Sequence, residues 1–228
     1  MKNRIMVILL CVFFVVSVSG QVLGEERKTE LPELTLERKL NRAAQEPQPY
    51  CKVESAIIKY EYYGLDEGTV TLFIKDNGKY VRRDDTRIKT SDEGEKTLRF
   101  FYLLTPKDFY QADLHQGNMA VRMDRPADMA SMILIHEILY GESADSLETD
   151  ERYKKEADEE VAGQMCKVYY DETSAEKYWV WNDIILKTES LDWETKEPSG
   201  KRALTVELDP EFKKGTFEIP EYLEVIGM

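Results

Sequence analysis

The run Thr69-Val70-Thr71-Leu72-Phe73-Ile74-Lys75-Asp76-Asn77-Gly78-Lys79-Tyr80 carries two structural signals back to back. Val70, Leu72 and Ile74 alternate with Thr69, Thr71 and Phe73, the period of two that sends successive side chains to opposite sides of a strand. Asp76-Asn77-Gly78-Lys79 then supplies a hairpin turn, because Asn and Gly accept the positive φ angles of a type I′ turn. Upstream, Ala56, Ile58, Tyr60 and Tyr62 alternate with Ile57, Lys59 and Glu61, and Gly64 to Gly68 turns that strand into the next. These strands pair antiparallel.

The pattern extends in both directions. Tyr80 to Lys89 continues as a strand with a very polar face, Ser91 to Gly94 turns, and Thr97 to Leu104 is a strongly apolar strand ending before Pro106. Phe109 to Leu114 and Asn118 to Met123 complete a meander. From Pro126 to Tyr140 the period changes: Met129, Met132, Ile133, His136, Leu139 and Tyr140 recur at offsets of three and four, which predicts a helix with a methionine-rich stripe. Glu142 to Glu160 is charged and aperiodic, and reads as a solvent-exposed loop or a polar helix. Strands resume at Gln164 to Tyr170, Lys177 to Trp181, Ile184 to Ser190 and Arg202 to Leu208, with turns at Asn182-Asp183 and Pro198-Ser199-Gly200. The expectation is an α+β fold: one antiparallel sheet of about 9–10 strands, with a helix at about 126–140 inserted between its halves. A sheet of that size curls strongly or closes.

The 228 residues carry a formal charge of -13, with 42% hydrophobic and 33% charged residues, enough chain for one well-buried domain at 50–228. An acidic chain without a basic stripe lacks the counterion-release term that drives nucleic-acid binding, so no nucleic acid partner is expected. Lys2 and Arg4 precede an unbroken apolar run from Ile5 to Val16, and Ser17-Val18-Ser19-Gly20 follows, the order of a cleaved secretory signal peptide over residues 1–20. The apolar run is short for a transmembrane helix, which needs roughly 20 residues. The mature protein is therefore expected to be soluble and extracytoplasmic, in a bacterial periplasm, with no membrane span after cleavage. Residues 21–49 read as a linker followed by a short amphipathic helix from Thr35 to Gln45, stopped by Pro47 and Pro49.

Removing the signal also removes Cys11 and leaves Cys51 and Cys166. In an oxidising compartment an even pair suits a disulfide, and two buried free thiols are the open alternative. Neither cysteine belongs to a Cys-x-x-Cys pair, so redox catalysis has no support.

No catalytic or metal motif survives inspection. His136-Glu137 opens like a zinc-protease helix, but the position four residues after His136 is Tyr140, and the only other histidine, His115, lies in a different element. There is no Gly-x-Ser-x-Gly elbow and no phosphate-cradling loop. Asp84-Asp85, Asp92-Glu93, Asp150-Glu151 and Glu159-Glu160 read as solvated surface charge. No enzyme activity, cofactor or metal is expected. What remains is apolar surface: Ile58, Tyr60, Tyr62, Val70, Leu72, Ile74, Leu98, Phe100, Tyr102 and Leu104 point to one side of a curled sheet, with Met129, Met132 and Ile133 against them. That arrangement is either a filled core or the wall of an apolar cavity.

Three further stretches carry a resemblance: Gly163-Gln164-Met165-Cys166-Lys167-Val168-Tyr169, then Lys177-Tyr178-Trp179-Val180-Trp181-Asn182-Asp183-Ile184-Ile185-Leu186-Lys187, then Phe217-Glu218-Ile219-Pro220. Their order resembles the bacterial outer-membrane lipoprotein carrier and lipoprotein-sorting superfamily, over roughly Lys52 to Pro220. The resemblance implies a half-open β-barrel wrapped around a helical plug, with a concave apolar cavity for acyl chains, to which Trp179 and Trp181 would contribute. It implies a non-enzymatic binding protein for a lipid or acylated protein. The alternative is an envelope protein-interaction or sensory module on the same fold, with no bound lipid. The chain departs from the carriers in its acidic 142–160 segment, and no basic residue matches a lipid-gating role.

Overall fold

The asymmetry between a run of long paired strands and a set of short ones organises the computed structural model, which describes residues 50–91, 94–124, 137–138, 144–192 and 195–227. In chain order the elements are β1 (Ser55–Tyr63), β2 (Glu67–Lys75), β3 (Tyr80–Ser91), β4 (Gly94–Leu104), β5 (Asp108–Asp113) and β6 (Met119–Asp124). They continue with α1 (Ala144–Leu147), β7 (Tyr153–Lys155), β8 (Glu159–Val161), β9 (Gln164–Asp171), β10 (Glu176–Trp181), β11 (Ile184–Leu191), β12 (Pro198–Leu208) and β13 (Glu224–Gly227). The expected signal peptide, the linker with its amphipathic helix, and Met129, Met132, Ile133 and His136 lie outside the described residues.

All thirteen strands join one open sheet in the order β13-β6-β5-β4-β3-β2-β1-β12-β11-β10-β9-β7, with β8 also on β9. Every pair is antiparallel except β13 on β6. The β2–β3 hairpin forms as its residues dictate: Asn77 and Gly78 have φ of 54° and 81°, Lys79 N donates to Asp76 O at 3.1 Å, and Lys75 pairs with Tyr80.

Three expectations are corrected. Among the described residues the strand number is thirteen, because the acidic stretch contributes β7 and β8 and the C-terminal segment contributes β13. Strands of three or four residues are too short to show a period; β9 recruits β7 and β8, and β6 recruits β13, by backbone pairing. The acidic stretch is consequently ordered: Ala144 and Leu147 are buried against Tyr169, Val180 and Ile185, and Glu148 takes ion pairs from Lys155 and Lys167, both at 2.8 Å. The inserted helix also fails where it can be followed. Ile138 forms a bridge with Ile184, and Ile185 N donates to Glu137 O at 2.7 Å, so the backbone here bonds sideways to β11. Apolar spacing in a short run does not separate these outcomes. Among the described residues the sole helix is the single turn α1, so the described part of the fold is nearly all β where α+β was expected.

The core follows the strand period. Ala56, Ile58 and Tyr60 of β1, Val70, Leu72 and Ile74 of β2, Val81 of β3, and Tyr102 and Leu104 of β4 are buried in one cluster. The alternate β4 residues Phe101 and Leu103 are buried on the other side with Ala112, Ala120 and Leu223, beneath the chain that leads into β13. Burial on both faces is why β4 reads as a continuous apolar run.

Candidate functional site

A single cross-strand row builds the site. Tyr178 on β10 faces Thr188 on β11, Thr188 faces Lys201 on β12, Lys201 faces Tyr62 on β1, Tyr62 faces Gly68 on β2, and Gly68 faces Arg87 on β3. Gly68 leaves a gap in that row. A Cβ there would sit 2.0 Å from Thr86 O, so only glycine fits, and the Arg87 guanidinium lies over the Tyr62 ring at 4.8 Å across the gap. Gly200, next to Lys201, is equally constrained by Thr188 O at 2.0 Å from a would-be Cβ.

Beside this row the sheet buries charge. Arg83 and Asp85 share the β3 face that carries Val81, and pair with Leu72 and Val70 of β2. Arg83 Nε donates to Glu137 Oε1 and Oε2 at 3.0 and 3.1 Å, Nη1 to Asp85 Oδ2 at 2.8 Å, and Nη2 to the Tyr62 hydroxyl at 3.1 Å. Tyr62 OH and Arg87 Nε each donate to Asp85 Oδ2 at 3.1 Å. Lys201 Nζ pairs with Glu137 Oε1. Asp85 Oδ1 is buried without a hydrogen-bond partner, so this carboxylate meets all its donors through Oδ2. Glu137 thus stands across the sheet: its backbone is tied to β11, and its side chain reaches cations on β3 and β12.

Burial alone would raise the Glu137 carboxyl, but Lys201 and Arg83 outweigh it and hold the group at about 2. Burial lowers the Lys201 ammonium, with Glu137 opposing. Burial also pushes the Tyr60 and Tyr62 hydroxyls up, so neither gives up its proton readily. A cavity of about 330 Å³ opens on this arrangement, with Arg83, Arg87, Lys201, Tyr62, Tyr178 and Thr188 in its wall and Asp66 and Glu176 at its margin.

The apolar residues singled out in the sequence are largely brought together. Ile58, Tyr60, Val70, Leu72, Ile74, Tyr102, Leu104 and Trp179 are buried in one cluster, and Tyr62, Phe100 and Trp181 pack against it half-buried. Leu98 is half-buried and is not part of that cluster. Only Tyr62 among them lines the cavity, whose described wall is polar and charged. Cys51 and Cys166 are both buried free thiols, the alternative to a disulfide. Burial raises them to about 11 and about 12, so neither is a thiolate near neutral pH.

Reading β3 as merely polar missed Arg83, Asp85 and Arg87. The signal was present: a turn that pairs Lys75 with Tyr80 sets Leu72 opposite Arg83 and Val70 opposite Asp85, on the apolar face. Lys201 and Glu137 carried no comparable signal, because their partners come from distant parts of the chain.

No family model matches the chain, and no curated protein matches it. Among solved structures it is similar to an uncharacterized conserved protein from Thermus thermophilus, with 9% identity and a TM-score of 0.47 over 85% of this chain and 99% of that one. It is similar also to MucB, with 11% identity and a TM-score of 0.46 over 85% of this chain and 66% of that one. A chain of the Pseudomonas aeruginosa MucA/MucB complex matches with 11% identity and a TM-score of 0.40, over 82% of this chain and 62% of that one. Overlaps this loose transfer no residue role to this chain.

Proposed function

We propose that the protein is an extracytoplasmic, non-enzymatic binding protein that holds the hydrophobic part of a lipid or acylated molecule against the concave face of a curved, half-barrel sheet. The observation that carries this reading is Glu137: a buried carboxylate, fastened to cations on two separated strands, holds residues 137–138 against the sheet beside the cavity. A sheet of thirteen described strands is expected to coil, which supports the reading of a concave face. Burial of each methylene contributes roughly 0.8 kcal/mol, so an acyl ligand needs no reacting group. The fully buried ionisable side chains, Arg83, Lys201, Asp85 and Glu137, pair with one another, as befits a clamp more than a catalyst. Titration with cis-parinaric acid, a fluorescent fatty acid, tests this: saturable binding displaced by lauric acid is expected, and no saturable signal would contradict it.

A second reading, an envelope protein-interaction module on the same sheet, is favoured by β13. This edge strand is exposed throughout, with Val225 and Ile226 open to solvent, whereas the opposite edge, β7, carries Lys154 and Lys155. Edges with charged residues resist strand addition, and apolar ones invite it. On that reading Val225→Lys with Ile226→Lys abolishes cross-linking to an envelope partner and leaves fatty-acid binding unchanged; loss of both or neither argues against it.

A further inference from the structure

The charges around the cavity are layered, and the layering restricts the polar end of the ligand. Arg83 and Lys201 are almost fully buried, Arg87 is about one third exposed, and their carboxylate partners Asp85 and Glu137 are fully buried. The two buried cations are matched by the two buried carboxylates, and the third cation, Arg87, adds one positive charge at a partly exposed point of the wall, where an anion is attracted. Donors are in surplus as well. A guanidinium has five N–H groups and an ammonium three, while Arg83 engages Glu137, Asp85 and Tyr62, and Lys201 engages Glu137. In the half-buried part of the wall the balance reverses: Asp66 and Glu176 contribute two carboxylates against the one cation Arg87, and Tyr178 OH donates to Glu176 Oε2.

A simple anion suits the inner layer and is repelled by the outer one; a simple cation meets the opposite difficulty. We propose that the cavity recognises a zwitterionic group, its anion seated toward Arg83, Lys201 and Arg87 and its cation toward Asp66 and Glu176. Phosphoethanolamine has this chemistry, with phosphate and ammonium a few bonds apart. If the acyl chain lies along the apolar face beside Tyr62, a lysophosphatidylethanolamine presents chain, phosphate and ammonium in the order of apolar cluster, buried cations and outer carboxylates. This inference rests on the binding-protein reading, and it adds the class of headgroup.

Isothermal titration calorimetry with three lauroyl lipids below their critical micelle concentrations tests it: lysophosphatidylethanolamine, lysophosphatidylglycerol and monolaurin. The zwitterionic lipid is expected to bind about tenfold more tightly than either of the others, the scale of one charge-assisted hydrogen bond. Asp66→Asn with Glu176→Gln, both half-buried and conservative, should erase its advantage over lysophosphatidylglycerol. Arg87→Gln, which leaves the buried Glu137 pairs in place, should erase part of its advantage over monolaurin. Displacement of the lipid by free phosphoethanolamine at equal concentration would support the same site and assign it to a soluble zwitterion. Equal affinity for all three lipids, or preference for the purely anionic one, overturns the headgroup inference and leaves the binding function standing. If none of the three binds, both fall.

Discussion

Glu137→Ala lowers the free energy of unfolding by about 3–5 kcal/mol, the range expected when one partner of a buried ion pair is removed. The magnitude comes from what stays behind. Arg83 and Lys201 are almost fully buried, and without Glu137 they lose the carboxylate they share, leaving Asp85 to face three cations. Urea titration of the single variant and of Glu137→Leu with Lys201→Met measures this. The double substitution should recover at least 1 kcal/mol of the single variant's loss, because an apolar pair leaves no unpaired charge between β12 and the crossing segment. The same group sets an acid limit. Its folded pKa, about 2, lies below the ordinary carboxylate value of 4.5, so the folded state binds the proton less readily. The stabilisation is complete above pH 4.5 and is lost as pH falls from there toward 2. Over that window Glu137 accounts for roughly 3 kcal/mol. The Lys201 ammonium stays protonated throughout this range in the unfolded chain and so does not move the window. Acid titration of Glu137→Gln should therefore be flatter between pH 4.5 and 2 than that of the natural sequence; an identical acid limb would contradict the assignment.

Gly68→Ala is the second large effect, about 3 kcal/mol, from strain that no side-chain movement relieves. Gly68 has φ of 140°, and an added Cβ would meet the backbone of the neighbouring strand: Thr86 O at 2.0 Å and Arg87 Cα at 2.9 Å. Since both neighbours belong to β3, the ladder between β2 and β3 must part at the Gly68–Arg87 pair. That displacement also separates Arg87 from the Tyr62 ring, so stability and ligand affinity should fall together. Thermal unfolding combined with the fatty-acid titration measures both, and an alanine variant as stable as the natural chain would show that the row is not so closely packed.

The central sheet was legible because its strands are long and their turns are explicit. Asn77-Gly78 fixes the β2–β3 register, and Gly64 to Gly68 does the same for β1 and β2. Local periodicity and turn chemistry agree there, so sequence and structure coincide. They part where pairing is decided at a distance. Tyr153–Lys155 becomes a strand because β9 offers an edge, which three residues cannot announce. Ile138 bonds to Ile184 across 46 positions, and an apolar spacing of three and four is indifferent to that. The apolar residues beside the candidate site were read from alternation alone, and most of them meet in one buried cluster, of which only Tyr62 lines the cavity. The charged part of the site was not read. Arg83 and Asp85 obey the same alternation, but a cation in a buried row becomes intelligible only when Glu137 and Lys201 arrive from elsewhere in the chain.

The most direct test of an acyl-binding cavity is to fill it. Thr188 lies in its wall on β11, opposite Lys201, and Thr188→Trp places an indole there while leaving Glu137, Arg83 and Lys201 themselves unsubstituted. Titration of this variant with cis-parinaric acid should show at least about tenfold weaker binding, as expected when a well-buried contact of more than about 1.4 kcal/mol is denied to a ligand, with unfolding by urea little changed. Equal affinity in the natural protein and the filled variant would mean that the ligand sits elsewhere, and the account of this site would be wrong.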